Sequence, residues 1–201
     1  MIHVSACLAT SLDGRLNWPD SDSRRIGSEQ DLTRFFNVCQ AHEAILTGAQ
    51  TVRAFPKPLK ANPYVHIILT QTGSLPWQAP LFASDSPARL WIASPLPPPN
   101  PLPQGVCRWI QTETPVTCIH NALTEANIGG LLIAGGGQVF SLWLNEDAID
   151  TLHLTLTPHV MGMAASALCP MALRSAYSLR LTSQARYQDE IWLTYVITKH
   201  H

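Results

Sequence analysis

The chain has 201 residues, 46% of them hydrophobic and 13% charged, with a formal net charge of -1 at pH 7. That length suits one domain over residues 1–201 with a real core, and so low a charge fraction argues against disorder and for a buried sheet. The charge balance leaves no basic footprint for nucleic acid, and no apolar run approaches the roughly 18 residues that a membrane span requires.

The five cysteines, Cys7, Cys39, Cys107, Cys118 and Cys169, are odd in number, widely spaced and without a CxxC pair, so they read as reduced thiols of a cytoplasmic protein. With the eight histidines dispersed as well, no metal site is expected. The opening MIHVSACLAT lacks a basic leader region and reads as a first strand.

Residues 4–9 form a compact apolar strand, closed by an Asp-Gly turn at Asp13 and Gly14. Asp13 is a tempting acid, but a turn position suits a structural role, and no catalytic residue is assigned. Ser28 is placed to cap a helix with Glu29 and Asp31 in its first turn and an apolar stripe at Leu32, Phe35, Phe36 and Cys39. Residues 44–47 are a short strand from which Gly48 opens the next turn. Residues 64–69 and 90–93 are further strands. The proline-rich run 94–103 can be neither helix nor central strand, and it reads as a stiff surface excursion, with a polyproline recognition motif as the other reading.

Residues 120–126 suit a helix, and 131–134 (LLIA) form a strand without polar alternation, as in a sheet covered on both faces. Gly135, Gly136 and Gly137 follow and lead into a helix over 139–144. Without Cβ atoms these glycines permit positive φ and close ligand approach, and their amides stand where a helix dipole favours an anion. A plain glycine-rich turn is the competing reading. In 151–157, leucines alternate with threonines and His153, which faces either a cleft or solvent, and residues 178–182 and 191–198 close the chain as an antiparallel hairpin. The sum is a mixed, mainly parallel α/β sheet of about eight strands flanked by helices.

Four segments together, SLDGRLN at 11–17, AILTGAQTV at 44–52, LLIAGGGQVF at 131–140 and DTLHLTLTPHVMG at 150–162, resemble the reductase domain of bacterial riboflavin biosynthesis. That domain belongs to the dihydrofolate reductase superfamily. The resemblance implies a three-layer dihydrofolate reductase-like fold, NADPH as hydride donor, a homodimer, and reduction of a ribosylaminopyrimidine phosphate. It covers the reductase domain alone, without the deaminase domain often fused in front.

On this resemblance Gly48, Ala49, Gln50 and Thr51 match the first phosphate turn, and Gly135, Gly136, Gly137, Gln138 and Val139 the second, with a cis peptide joining Gly135 to Gly136. Ala9, Leu16 and Asn17 border the nicotinamide, and Thr70 and Ser94 lie toward the adenosine phosphate. Arg15, Ser23, Leu59 and Ala134 fall at substrate positions. The family's glutamate before the glycines is Ala134 here, a second acid aligns with Phe55, and two arginines align with Cys39 and Asn62. Loss of such charge-assisted contacts, about 1.5 to 3 kcal/mol each, points to an altered acceptor, a pyrimidine or a related imine or aldehyde. A catalytically silent NADPH-binding relative, acting as regulator or partner, is the alternative. A dihydrofolate reductase ranks third, because Glu29 and Asp31 read only as capping groups where that enzyme carries an acid.

Overall fold

The computed structural model describes residues 2–20, 24–59, 65–83 and 89–198. Nine strands form one sheet: β1 (His3–Thr10), β2 (Ala44–Gly48), β3 (Val65–Leu69), β4 (Arg89–Ser94), β5 (Val106–Gln111), β6 (Gly130–Ile133), β7 (Thr151–Leu156), β8 (Ser178–Tyr187) and β9 (Glu190–Thr198). Their spatial order is β5-β4-β3-β2-β6-β1-β7-β9-β8. From β5 to β7 every pairing is parallel, and β9 then pairs antiparallel with both β7 and β8.

Four helices cover the two faces: α1 (Glu29–Gln40), α2 (Ala49–Ala54), α3 (Pro115–Glu125) and α4 (Gly137–Asn145). Side chains that alternate along each strand divide between two apolar layers. Val4, Ala6, Leu46, Leu131 and Ile133 pack with Ile119 and Leu123 of α3 and Phe140 and Trp143 of α4. Their neighbours Cys7, Ile45, Leu132 and Ala134 pack with Cys39, Phe35 and Phe36 of α1. On that same side Val52 of α2 and Phe82 cover Ile68, Leu90 and Ile92. Both faces being buried explains why the central strands read as continuous apolar runs.

The ninth strand is β5, which the pattern at 106–111 conceals because an edge strand needs no unbroken apolar run: only Ile110 is fully buried there. Helix α3 starts at Pro115, earlier than the pattern suggests, with proline supplying a first-turn residue whose missing N–H costs nothing. Residues 49–54, read as a turn, form the one-and-a-half-turn helix α2. Strand β8 extends five residues beyond the expected 178–182, to Tyr187, through a register shift between Leu181 and Ser183 that breaks its alternation. No helix among the described residues is long and apolar enough to cross a membrane.

The α1 and α2 side of the sheet holds a buried polar pair. His66, only 3% exposed, lies with Nε2 2.8 Å from Oγ1 of Thr47, and burial pulls its pKa down to about 4. The folded chain therefore resists a proton that the unfolded chain, with an ordinary value near 6.5, accepts. Stability should fall as pH drops from about 6.5 toward about 4. His66→Gln should flatten this part of the acid limb in melting curves taken across that range, and an unchanged limb would show that His66 does not set it.

Candidate functional site

Two turns at the carboxyl ends of adjacent parallel strands meet. After β2, Gly48 caps α2; after β6, the chain turns through Gly135 and Gly136, at φ 118° and 85°, into α4. A Cβ on Gly135 would lie 3.4 Å from Oγ1 of Thr51, one on Gly136 3.6 Å from it, and one on Gly48 3.2 Å from Cγ2 of Val139. The glycines thus leave the Thr51 hydroxyl uncrowded beside the amino end of α4, where first-turn amides suit phosphate oxygens. Ala49 is half-buried, Gln50 and Gln138 are exposed, and Val139 packs beneath the floor.

One expectation for this turn is corrected. The Gly135–Gly136 peptide is trans, the only cis bond among the described residues being Asn100–Pro101; positive φ at both glycines makes the turn instead. Gly137 also packs tightly, since a Cβ there would come within 2.4 Å of the Ala167 carbonyl oxygen.

The loop after β1 is tied to the segment after β7. Asp13 accepts from Ser11 Oγ at 2.5 Å, from the Met161 amide at 3.0 Å and from the Gly162 amide at 2.7 Å. Those bonds, the Ser11 one foremost, hold its pKa down to about 2. Leu16 donates its amide to the Ser166 carbonyl at 2.9 Å, and Asn17 Oδ1 accepts from the Ser166 amide at 2.8 Å. Leu16 and Asn17 are thereby fixed beyond Ala9, near the end of β1. Arg15, expected to meet substrate, bridges to Ala167 in extended pairing and holds its guanidinium between the Ala165 carbonyl and Asp13, which fastens the two loops to each other.

Thr70 and Ser94 do stand at the carboxyl ends of β3 and β4, yet both are buried. Thr70 Oγ1 accepts from the Gly73 amide at 3.1 Å and Ser94 Oγ from the Leu96 amide at 3.1 Å, so each hydroxyl shapes its own turn. Leu59 and Ala134 belong to the apolar layer beside α1, together with Cys7 and Cys39, whose thiols burial pushes upward, Cys7 to about 12. His153, on the same side, has Nδ1 3.3 Å from Thr194 Oγ1, and its pKa is lowered to about 4 chiefly by burial. Phe55 is exposed, and Ser23 and Asn62 lie outside the described residues.

The residue that sequence reasoning misjudged is Asp31. Ser28, not Asp31, caps α1, its Oγ accepting from the Asp31 amide at 3.1 Å. The Asp31 carboxylate turns inward to β7, where Thr155 Oγ1 donates to Oδ1 at 2.6 Å while Oγ1 itself accepts from Arg34 Nη1 at 2.8 Å. Arg34 also donates to the Leu193 carbonyl at 3.1 Å and lies 5.6 Å from the centre of the Trp192 ring. Burial raises the Asp31 pKa, with the Thr155 bond acting against it and nearby Glu190 adding to the rise. Gly27 makes the fit possible, because a Cβ there would lie 2.2 Å from Asp31 Oδ2. Glycine directly before a cap, with the acid three residues beyond that cap, was the available signal. Since Thr155 pairs in register with Ala9, this carboxyl stands beside the end of β1 that Leu16 and Asn17 overhang. Among the described residues no group of His, Cys, Asp and Glu is arranged to hold a metal ion.

A largely parallel sheet with glycine turns at the ends of neighbouring strands, an antiparallel closing hairpin and one half-buried acid turned inward from its first helix defines a dihydrofolate reductase-like α/β protein. Solved structures of that fold match closely. A pyrimidine reductase-like protein from Corynebacterium diphtheriae superposes with a TM-score of 0.83 at 17% identity, covering 99% of this chain and 93% of that one. RibD from Acinetobacter baumannii gives 0.81 at 22% identity over 99% of this chain, which spans 59% of that longer protein. A dihydrofolate reductase from Enterococcus faecalis, solved with NADP(H), gives 0.62 at 16% identity over 98% of this chain and 97% of its own. No curated protein matches the sequence. Residues 3–193 match the RibD C-terminal domain, and the chain belongs to that family.

Thr155→Val should remove the hydroxyl shared by Asp31 and Arg34 and destabilise the fold by about 1 to 3 kcal/mol, read by urea unfolding. It should also move the Asp31 titration higher, because the lost bond favours the ionised carboxylate. Carboxyl carbon NMR would follow that titration, and a fall would contradict the arrangement.

Proposed function

We propose that the chain is an NADPH-dependent reductase of the pyrimidine reductase type. The observation that carries this reading is the meeting of Thr51 with Gly135 and Gly136, which brings together two turns distant in sequence. When bound, the cofactor supplies the hydride. Thr51 and the amides at the start of α4 hold phosphate oxygens, while Ala9, Leu16 and Asn17 border the nicotinamide ring. Catalysis then rests mainly on holding two rings in contact, a task of positioning more than of acid or base strength.

The acceptor is the usual ribosylaminopyrimidine phosphate or a relative of it. Ala134 offers no carboxylate, and Arg15 is engaged between two loops, so recognition of a phosphorylated pyrimidine would depend on other groups. A second reading gains from the position of Asp31. A half-buried carboxyl beside Ala9, backed by Thr155, suits the N–H edge of a pterin-like ring and supports a dihydrofolate-type acceptor. In either case a homodimer is the proposed assembly, since β8 is an edge strand with Leu179 and Leu181 exposed at 45% and 44%. The free thiols suit a cytoplasmic setting.

Titration with NADPH, followed by fluorescence and thermal shift, should show saturable binding that Gly136→Val abolishes, because valine at φ 85° is strained and its side chain crowds the Thr51 hydroxyl. No binding at millimolar NADPH would overturn the reading. Oxidation of NADPH with the ribosylaminopyrimidine phosphate favours the standard acceptor, and oxidation with dihydropterins or dihydrofolate the second. Tight binding without turnover on either would point to a silent relative.

A further inference from the structure

Across the carboxyl ends of the parallel strands, the glycine turns stand at β2 and β6, and Asp31 meets β7. On the far side of Asp31 from those turns, a cavity of about 290 Å³ opens between the segment before α1, the end of β7 and the turn from β8 to β9. Trp18 and His159, whose ring centres lie 4.9 Å apart, line it together with Ile26, Gly27, Ser28 and Glu190. Gly27 also meets the Asp31 carboxyl, because a Cβ there would lie 2.2 Å from Oδ2. That glycine is thus shared by the cavity and the acid.

Glu190 is the buried acid of this cavity. It opens β9, is 6% exposed, and its carboxylate collects three donors: the Ser28 amide at 2.7 Å, Ser28 Oγ at 2.8 Å and Trp192 Nε1 at 3.4 Å. Among the described residues no cation lies within 4.0 Å of it, since Arg25 is bound to Glu29, Arg34 to Thr155 and the Leu193 carbonyl, and Arg186 to Asp189. Hydrogen bonds offset the cost of burying a carboxylate without cancelling its charge. Glu190 is therefore a satisfied acceptor and an uncompensated charge at once.

One residue links it to Asp31. Ser28 Oγ has a single hydrogen, and donating it to Glu190 leaves a lone pair for the Asp31 amide, which donates to that oxygen at 3.1 Å. The cap of α1 is thereby oriented from β9. The Asp31 carboxyl is caught in turn by Thr155 of β7, and Thr155 pairs in register with Trp192, two residues along β9 from Glu190. Backbone and side chain of Asp31 are thus held by one antiparallel ladder. The charges converge there as well. Burial is the largest cause of the raised Asp31 pKa, the Thr155 bond lowers it, Glu190 raises it further by its charge, and Arg34 and Arg25 oppose that rise. His159 and Asp189 are the other titratable groups of the cavity wall.

We infer that Glu190 is a positioning residue for the acceptor: acting through Ser28, it fixes where the Asp31 carboxyl stands at the end of the cleft. It has a second effect, on the proton of that carboxyl. A negative charge nearby favours the neutral acid, which can donate a hydrogen bond to a ring nitrogen or oxygen as well as accept one. The inference rests on the reading above, in which the acceptor lies beside Ala9 and Asp31.

The experiment compares wild type, Glu190→Gln and Glu190→Ala, with melting curves as a folding control. Glutamine keeps an oxygen for the Ser28 amide and an N–H for Ser28 Oγ but carries no charge, whereas alanine removes the bonds and the charge together. Carboxyl carbon NMR of the ligand-free protein should show Asp31 titrating at lower pH in both variants. With the acceptor that supports NADPH oxidation in wild type, Glu190→Ala should raise KM by about 5- to 10-fold with a smaller change in kcat, and Glu190→Gln should restore most of that loss. In Glu190→Gln the high-pH limb of kcat/KM should move to lower pH together with the Asp31 titration. An unmoved Asp31 titration in Glu190→Gln, or an unchanged KM in folded Glu190→Ala, overturns the assignment of Glu190 while the reductase reading stands. Wild type that oxidises NADPH with no acceptor overturns that reading and the acceptor role of Glu190 with it.

Discussion

The structure depends on one topological constraint: β6, late in the chain, is inserted between β1 and β2. Connections from β1 through β5 run in one direction across the sheet, and those through β6 and β7 run back. The reversal places α1 and α2 on one face and α3 and α4 on the other. It also puts the ends of β2 and β6 side by side, in parallel register from Ala44 with Leu131 to Leu46 with Ile133. A crevice at the carboxyl ends of strands where the winding reverses is where open α/β sheets bind ligands. Thr51 can face Gly135 only because of that pairing.

Burial then gives the crevice two different ends. On the α1 side an apolar layer of Cys7, Leu132 and Ala134 is bordered by the half-buried Asp31 carboxyl, with buried Glu190 bound to Ser28 nearby. A charge in such a place is costly unless it is hydrogen-bonded, and the Thr155 and Arg34 chain meets that need. Toward β3 and β4 the character changes: the Thr70 and Ser94 hydroxyls each accept from an amide of the following turn, and Arg53 donates to the Ser74 carbonyl.

Much of this was legible in the residues. The unbroken apolar runs at 44–47 and 131–134 announce two-sided burial, and the glycines after them announce both turns. Less legible was anything decided by tertiary partners. Asp31 looks like a first-turn acid on any helix, and only the approach of β7 makes it an internal group. Arg15 looks like a free cation until the segment 161–167 closes over it. Strand β5 is masked by its own exposure, since an edge is stabilised by one neighbour and tolerates Arg108 and Gln111. The trans peptide at Gly135 shows the same limit from another direction: two adjacent glycines allow several turn geometries, and surrounding contacts choose among them.

The fastening of residues 11–17 to residues 159–168 has a consequence for how the chain can vary. Leu12, Leu16, Met161, Gly162, Ser166 and Leu168 all donate amides across that seam or to the Asp13 carboxylate, so neither loop has a conformation of its own. The two form one hydrogen-bonded unit that joins the ends of β1 and β7. A length change in either loop would therefore displace Leu16 and Asn17, so the segment after β7 sets the position of residues it does not contain.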